Sequence, residues 1–419
     1  MISRLKALKE PNARDFKPLS LLIAVLWVLA LFPSSAAQIQ VQEAGYCIDL
    51  PEGWGPVESY NRDSDNMNLS FSNKAYTAFL NIIAFSPDSF GKAKDMFNYV
   101  KTQLKASGEG ASFLFSGENA YFADLRFKSS GKDHRGYFIF INSDKRNSFD
   151  YALLCFSTVK DYTKNHDSLL SALDSFANGE AAKLFPGPVS QFYYPVNYLF
   201  TDAASINSTR IRKTDIIVPV QIGEERYVLP FDSREIDATK VVVDREARIL
   251  SAYKTESREA VDAWKRFYRV IYRDNFHRLD KLYSILFKDK EQARKADKAS
   301  LAAGMLNFVQ GFKYIRTGTT ADLFSPLSAA SRLSGDCDSR GLLYLILLHH
   351  IDIDSVLLVS TRYHHSAVGV GIAGRGAKIY FKGRNYMYAE VTDNVAIGQV
   401  PKSMADPSGW IPIKLGYPK

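Results

Sequence analysis

Residues 334–350 read SGDCDSRGLLYLILLHH and decide the fold of the C-terminal half of the chain. The run LLYLILL is apolar almost all round, which predicts a buried helix. Cys337 falls at the first turn of this helix, where Ser334 or Asp336 is available as the cap. Unpaired N–H groups at a helix N-terminus lower the pKa of a thiol. Cys337 is therefore either a small core residue or a nucleophile.

A thiol nucleophile needs a base that also protonates the leaving group, and histidine is the usual one. His349 and His350 end the same helix, about 18 Å from Cys337 at about 1.5 Å per residue, which is too far. His365 opens the strand-like run HSAVGVGI and shares a face with an alanine and two glycines. Such small side chains allow the Cys337 helix to approach, so His365 is the predicted base. His364 lies on the opposite face.

A carboxylate that accepts a proton from the far ring nitrogen fixes the tautomer of His365. Glu390 lies in the next predicted strand, NYMYAEVT, on the face that carries the polar groups. Asp393 competes for this role, but in the turn-like TDN it is better explained as a cap for its own backbone. Gln310 precedes Cys337 by 27 residues, and its amide is predicted to stabilise an oxyanion.

These residues resemble the transglutaminase-like branch of the papain-like superfamily. The resemblance is carried by FVQGFKY, SGDCDSRGLLYLILLHH, HHSAVGVGI and YMYAEVTDNVAIGQVP, over roughly residues 300–402. It implies a helix-plus-antiparallel-sheet domain with a Cys337–His365–Glu390 catalytic triad assisted by Gln310. This sequence has Ala367 where the family often has an aromatic residue, and EVT where it often has DPT, which leaves substrate and rate open.

The resemblance implies attack of the thiol on a peptide or carboxamide carbonyl, which forms a thioester. Water as the acceptor makes a protease or amidase, the expectation for exported bacterial members, whereas an amine makes a cross-linker. A catalytically silent module that binds peptides or proteins is a further alternative. The partner is in each case a protein or peptide, and no cofactor or metal is implied.

The N-terminal half predicts a separate α+β unit. Alternating apolar runs indicate an antiparallel sheet, and residues 89–104 and 164–177 have helical spacing. The opening IDLPEGW, the strand order and the closing helix resemble the PsbP/Mog1-like fold. The whole chain is thus predicted to comprise a leader (1–37), this unit (38–178), a linker (179–190), a β-rich segment (191–254) and the transglutaminase-like domain (255–419).

A helix is also predicted from about residue 256, with two contrasting faces. Its aromatic and aliphatic side chains follow one face and its basic side chains the other. The basic face is predicted to be in water, with contact to an acidic partner as the alternative. The apolar set is Trp264, Phe267, Tyr268 and Ile271, and the basic set is Lys265, Arg266, Arg269 and Arg273.

The 419-residue chain is 46% hydrophobic, which excludes general disorder, and its formal net charge is +8. No basic block with interleaved aromatics occurs, so nucleic acid is not a predicted partner. The three cysteines form no CxxC pair, which disfavours structural zinc. In an exported protein an odd count suggests one pair and one free thiol. Cys47 and Cys155 are therefore predicted to form a disulfide or to remain two buried thiols.

The N-terminal leader predicts export to the periplasm or the extracellular space. Basic residues precede the apolar run LSLLIAVLWVLALF, whose 14 residues are short for a membrane-spanning helix of about 20. Ser35 and Ala37 have the small-residue spacing that signal peptidase accepts. An uncleaved segment that tethers the protein to the membrane is the alternative.

Cleavage after Ala37 should give a mature chain that begins at Gln38. N-terminal sequencing of the exported protein measures this directly. A sequence that begins at Met1 would contradict cleavage and identify an anchor.

Overall fold

The computed structural model describes residues 38–57, 61–63, 66–87, 89–143, 148–195, 215–222, 224–254, 257–288 and 297–415. The predicted leader and its cleavage site lie outside these residues. Within them, no helix combines the length and the apolar character that crossing a membrane requires. The protein is α+β, with antiparallel sheets and packed helices.

The N-terminal unit is built on an eight-stranded antiparallel sheet with the order β3-β5-β6-β10-β9-β8-β7, where β4 also pairs with β5. A smaller sheet, β1-β2-β11, brings the two ends of the unit together. The strands are β1 (Ile39–Val41), β2 (Tyr46–Ile48), β3 (Trp54–Pro56), β4 (Asn61–Asp63), β5 (Asn66–Asn73), β6 (Ala78–Phe85), β7 (Ser107–Phe115), β8 (Glu118–Ser129), β9 (Lys132–Asn142), β10 (Asp150–Thr158) and β11 (Ala177–Asn178).

Strand β10 is apolar along its length because both faces of the large sheet are covered. Leu153 belongs to the core beneath helix α2 (Tyr162–Asp174), and Leu154 to the core beneath helix α1 (Ala93–Gln103). Side chains alternate between the two faces of a strand, so burial on both sides removes the polar positions from the pattern. The two predicted helices and the strands of this unit match the structure.

Cys47 and Cys155 are both buried thiols that form no disulfide, so the structure corrects the disulfide alternative. Cys47 lies on β2 in the small sheet and donates to the carbonyl of Ala177 at 3.8 Å. Cys155 lies in the middle of the large sheet and donates to the carbonyl of Leu169 at 3.5 Å. The two cysteine strands do not pair with each other, so nothing aligns the two thiols.

The predicted linker is partly helical, and the predicted β-rich segment is half hairpin and half helix among the described residues. Helices α3 (Gly179–Ala182) and α4 (Pro188–Tyr193) fall in or across residues 179–190, and Val189 and Ser190 are buried. Strands β12 (Asp215–Ile222) and β13 (Glu225–Asp232) form a hairpin as predicted, but the β-branched runs after them lie in a helix. Burial of one face of that helix outweighs the strand preference of valine. The predicted strand at 192–200 begins in α4, and residues 196–200 lie outside the described residues.

The C-terminal half packs its helices against a five-stranded antiparallel sheet with the order β18-β19-β17-β16-β20. Two short strands, β14 (Lys313–Tyr314) and β15 (Ser334–Gly335), pair in parallel beside it. The helices are α5 (Ser233–Leu250), α6 (Arg258–Asn275), α7 (Asp280–Tyr283), α8 (Lys298–Gln310), α9 (Pro326–Arg332) and α10 (Cys337–His350), and the sheet strands are β16 (Ser355–Ser360), β17 (His365–Val370), β18 (Lys378–Phe381), β19 (Arg384–Ala389) and β20 (Ile411–Ile413).

The basic face of α6 is not in water, which corrects the predicted solvent-exposed face. Arg266 and Arg273 are 2% and 7% exposed, respectively. Arg273 donates to the carbonyls of Asp174 and Phe176 at the end of the N-terminal unit, both at 2.7 Å. The periodicity of α6 separates the two faces correctly, but it cannot reveal that another unit covers the polar one.

Arg266 is the centre of this interface. Its guanidinium donates to the carbonyl of Asp49 at 2.7 Å, to the carboxylate of Glu246 at 2.7 Å and to the hydroxyl of Ser171 at 2.8 Å. Glu246 is 2% exposed, so both charges of the pair are buried. A buried charge is tolerated only when it is paired and hydrogen-bonded, which both partners here are.

Replacing Arg266 with alanine should lower the free energy of unfolding by about 3 kcal/mol. Glu246 would lose one of its two buried arginine partners and keep only Arg245, and the carbonyl of Asp49 would lose its donor. Arg248→Ala is the matched control. Arg248 pairs with Asp167 at 2.7 Å, but its side chain is 54% exposed, so the expected loss is below about 1 kcal/mol. Urea titration measures both, and equal losses would contradict a central role for Arg266.

Candidate active site

The first turn of α10 places Cys337 at a capped and buried helix N-terminus. Asp336 is the cap, and its Oδ1 accepts hydrogen bonds from the N–H of Ser339 at 2.9 Å and from its hydroxyl at 2.6 Å. A Cβ at Gly335 would lie 2.8 Å from Cβ of Ser339, so only glycine fits before the cap. Cys337 is 7% exposed. The predicted helix and one of the two predicted caps are both present.

Helix α10 packs on the face of β17 opposite to the one predicted. Val368 and Val370 share a core with the apolar side chains of the helix. The close approach is provided by Gly341 of the helix, where a Cβ would lie 3.2 Å from Leu357. Ala367, which lies on the same face of β17 as His365, belongs to a second core on the far side of the sheet. The small residues of β17 are therefore not what brings the helix close.

Cys337 meets β17 at the start of the strand. The sulfur accepts hydrogen bonds from the backbone N–H groups of Ser366 and Asp338. Ser366 directly follows His365, so the sulfur lies against the strand next to the residue that is predicted as the base. His364 is exposed and has a φ of 48°, which breaks the strand before His365.

His365 and Glu390 form the hydrogen bond that the sequence predicts. Nε2 of His365 lies 3.0 and 2.9 Å from the two carboxylate oxygens of Glu390. A carboxylate only accepts, so Nε2 carries the proton and Nδ1 keeps its lone pair. No hydrogen bond from the described part of the chain reaches Nδ1. The predicted competitor, Asp393, is exposed and does not contact His365.

Glu390 lies just past the end of β19, which corrects its predicted position within the strand. It is 1% exposed and also accepts from Tyr388 at 3.0 Å and from the hydroxyl of Thr392 at 2.6 Å. Burial alone raises the pKa of a carboxyl, but the hydrogen bonds from His365 and Thr392 outweigh it and lower the pKa of Glu390 to about 2. Glu390 is thus ionised at neutral pH.

Gln310 does not have the predicted role of oxyanion donor. Its Nε2 donates to the carbonyls of Glu390 and Val395, at 2.8 and 2.9 Å. Both N–H bonds of the amide are therefore occupied, and they hold the segment that follows β19. Its Oε1 is buried and has no hydrogen-bond partner among the described residues. Gln310 positions the acid instead of facing the sulfur.

Arg340 is a second positioning residue, and the sequence analysis missed it. It is 1% exposed and donates to the carbonyls of Gly335 at 3.0 Å, Phe312 at 2.6 Å and Val391 at 3.4 Å. These carbonyls lie before Cys337, after α8 and after Glu390. One feature of the sequence could have identified it: an arginine stands three residues after Cys337 in a helix that is predicted to be buried all round, where a charge needs partners.

The pKa of the Cys337 thiol is raised, whereas the sequence predicts that the helix N-terminus lowers it. Burial and the charges of Asp338 and Asp336 raise the pKa of its thiol to about 12, and the N–H groups of Ser366 and Asp338 only partly offset them. The expected effect of the helix N-terminus is present but smaller than the effects of burial and negative charge. In the free protein Cys337 is a neutral thiol at pH 7.

An aromatic wall shields the His365–Glu390 pair from water. The ring of Trp410 lies 6.3 Å from that of His365 and 5.6 Å from that of Tyr388. Trp410 is 5% exposed, and its Nε1 donates to the carbonyl of Met404 at 3.0 Å. A tryptophan far along the chain gave no sequence signal, because only the pairing of β20 with β16 brings it to the site.

Comparisons with known proteins assign no family. No family model matches the chain, and no curated protein matches it in sequence. One similar solved structure is a cyanobacterial PsbP from Synechocystis sp. PCC 6803, with 14% identity, a TM-score of 0.29, and coverage of 37% of this chain and 98% of that chain. It is a PsbP, the protein type that the N-terminal unit resembles in sequence pattern, but the likeness is distant.

Two other solved structures are similarly distant. LpqN, involved in cell envelope biogenesis of Mycobacterium tuberculosis, has 12% identity and a TM-score of 0.22, with 32% of this chain and 82% of that chain covered. A protein from Bacteroides thetaiotaomicron has 8% identity and a TM-score of 0.23, with 82% and 85% covered.

The lowered pKa of Glu390 makes a pH-dependent contribution to stability. Its folded value of about 2 lies below its ordinary value of 4.5, so the contribution is present above about pH 5 and is lost as the pH falls toward 2. The gap corresponds to a contribution on the order of 3 kcal/mol. Between pH 5 and pH 3, the free energy of unfolding of Glu390→Gln should therefore fall less steeply than that of the wild type.

Asp393→Asn is the control for this measurement, because Asp393 is exposed three residues away. Its unfolding free energy should follow the wild-type pH dependence. Identical slopes for Glu390→Gln and the wild type would show that Glu390 is not held ionised by His365 and Thr392.

Proposed function

We propose that the C-terminal half is a papain/transglutaminase-like domain and an exported cysteine-nucleophile enzyme that cleaves peptide or carboxamide bonds through a thioester. The observation that carries the proposal is the hydrogen bond from Nε2 of His365 to buried Glu390. It leaves the basic Nδ1 of His365 unpaired next to the strand residue that contacts the sulfur of Cys337. Cys337 is thus the proposed nucleophile, His365 the proposed base and Glu390 the proposed orienting acid, the three roles that thiol catalysis requires.

In the first half of the reaction, Nδ1 of His365 takes the thiol proton as the sulfur of Cys337 attacks the carbonyl carbon. A C–S bond forms and the carbonyl oxygen becomes an oxyanion. The C–N bond then breaks, and the leaving amine takes the proton from the imidazolium, which Glu390 stabilises. The thiol is neutral before attack, so proton transfer accompanies attack instead of preceding it.

In the second half, a water molecule attacks the thioester and gives a proton to Nδ1 of His365. The C–S bond breaks, the acid is released, and the proton returns to the sulfur of Cys337. The amide of Gln310 is occupied, and the N–H groups of Ser339 and Arg340 are bonded to Asp336. The backbone N–H of Cys337 is therefore the proposed oxyanion donor.

Two other functions use the same residues. A silent module that binds peptides or proteins is favoured by the raised pKa of Cys337, because an inactive thiol has no need to ionise. A cross-linking enzyme requires only that an amine replace water as acceptor. The PsbP-like unit would then recruit a protein partner, and an uncleaved leader would tether the protein to the membrane.

The test is turnover by the purified full-length protein. Hydrolysis of fluorescent casein and incorporation of monodansylcadaverine into casein separate a protease from a cross-linker. Cys337→Ser and His365→Ala should abolish the activity, and Glu390→Gln should lower kcat by about 100-fold or more, as loss of an orienting carboxylate does.

Asp393→Asn is the matched control and should keep wild-type kcat. Iodoacetamide alkylation of Cys337, located by mass spectrometry, accompanies the assays. Turnover that survives Cys337→Ser would refute the enzyme proposal. Peptide binding without turnover, with Cys337 alkylated only at strongly alkaline pH, would support the silent module.

A further inference from the structure

Asp338 places a carboxylate beside the sulfur that the proposed reaction does not use. Its Oδ1 accepts hydrogen bonds from the hydroxyl of Tyr268 at 2.7 Å and from the hydroxyl of Ser366. The backbone N–H of Ser366 donates to the sulfur of Cys337. Because Ser366 contacts both groups, the carboxylate and the sulfur lie side by side.

One oxygen of Asp338 is available to a ligand. The side chain is half-buried, and no hydrogen bond from the described part of the chain reaches Oδ2. Helix capping does not account for this carboxylate, because Asp336 already caps α10. An acidic residue in the first turn adds only about 0.3–1 kcal/mol through the helix dipole.

The carboxylate also has a chemical cost. After burial, the charge of Asp338 is the largest cause of the raised pKa of Cys337. It therefore disfavours the thiolate that attack on a carbonyl requires. The negative charge of Asp338 next to Cys337 is explained if a cationic ligand occupies the site during the reaction and offsets that charge.

Two tyrosines lie near the carboxylate and the sulfur, and a tryptophan lies next to one of them. The ring of Trp264 lies 5.9 Å from that of Tyr268, and its Nε1 donates to the Tyr268 hydroxyl at 3.1 Å. Tyr314 is 52% exposed and lies close enough to Cys337 and Asp338 for their charges to raise its pKa, after burial. A carboxylate next to aromatic rings is the chemistry that binds ammonium and guanidinium groups.

We propose that Asp338 binds a cationic group of the substrate, an alkylammonium or guanidinium, next to the bond that Cys337 attacks. The inference rests on the proposed function and names its substrate class: a peptide with lysine or arginine near the cleaved bond, or a primary amine that accepts the acyl group. The bound cation offsets the charge of Asp338, so the thiolate becomes accessible when the substrate is in place.

The first experiment measures how the charge of a thiol reagent affects its reaction with Cys337. Aminoethyl, ethyl and sulfonatoethyl methanethiosulfonate are cationic, neutral and anionic reagents of similar size. Their rates at Cys337, mapped by mass spectrometry, are divided by their rates with free mercaptoethanol. The cationic reagent should be favoured over the neutral one by about tenfold, and the anionic one disfavoured.

Asp338→Asn should reduce this preference to within about twofold, whereas Asp338→Glu should retain it. Asp393→Asn is the control for a general acidic surface and should leave it unchanged. The measurement is repeated in about 1 M salt, where the Debye length is about 3 Å. A preference that persists there reflects direct contact, and one that disappears reflects a long-range field and overturns the proposal.

The second experiment distinguishes the two sources of the cation. Lysyl and norleucyl chloromethyl ketones differ by the ammonium group, and each gives a binding constant and an inactivation rate constant. If the cation belongs to the acyl donor, Asp338→Asn should weaken binding of only the lysyl reagent, by about tenfold. If it belongs to the acceptor, the two reagents bind alike and Asp338→Asn lowers monodansylcadaverine incorporation.

The outcomes separate this inference from the proposed function. Methanethiosulfonates modify any accessible thiol, so a charge preference that depends on Asp338 supports the cation site even in a protein without turnover. Turnover without that preference leaves the enzyme in place and overturns the cation site. Failure of all three reagents to reach Cys337 overturns it as well.

Discussion

Helix α10 can place its first residue against Ser366 only because its body lies close to strands β16 and β17. Gly341 removes the side chain that would keep the helix away from Leu357, and the apolar run behind it fills the core. The N-terminus of the helix is thereby buried at the start of β17. This one contact sets both properties of Cys337: its sulfur lies against the backbone of Ser366, and its thiol is desolvated.

The position of Glu390 depends on hydrogen bonds from distant segments and not on strand pairing. Glu390 follows the last residue of β19, where no ladder holds the backbone. Gln310 and Arg340 take over this task by donating to the carbonyls around it. Both side chains are buried and donate to backbone oxygens, so their geometry is coupled to the segments that carry Cys337 and Glu390.

The charges around Cys337 favour its neutral thiol over the thiolate in the free protein. Two aspartates flank the sulfur, and Glu390 is kept ionised by His365 instead of by a permanent cation. The free protein therefore holds a neutral thiol, which suits a base that takes the proton during attack. It also makes the charge of whatever enters the site a determinant of reactivity. The interface around Arg266 lies elsewhere and serves to join the two halves of the protein.

The His365–Glu390 hydrogen bond is predicted with the help of the family resemblance, because the strand that was expected to carry Glu390 ends before it. The sequence by itself determined the α+β class, most strands and helices of the N-terminal unit, and the buried Cys337 helix with its cap. These follow from periodicity, capping residues and alternation, which are local. Only the tertiary structure decided that the arginines of α6 are buried, that Cys47 and Cys155 are apart, that Gln310 faces Glu390, and that the thiol of Cys337 has a raised pKa. Each of these depends on which segment covers a residue, and desolvation by distant segments leaves no mark in the local pattern.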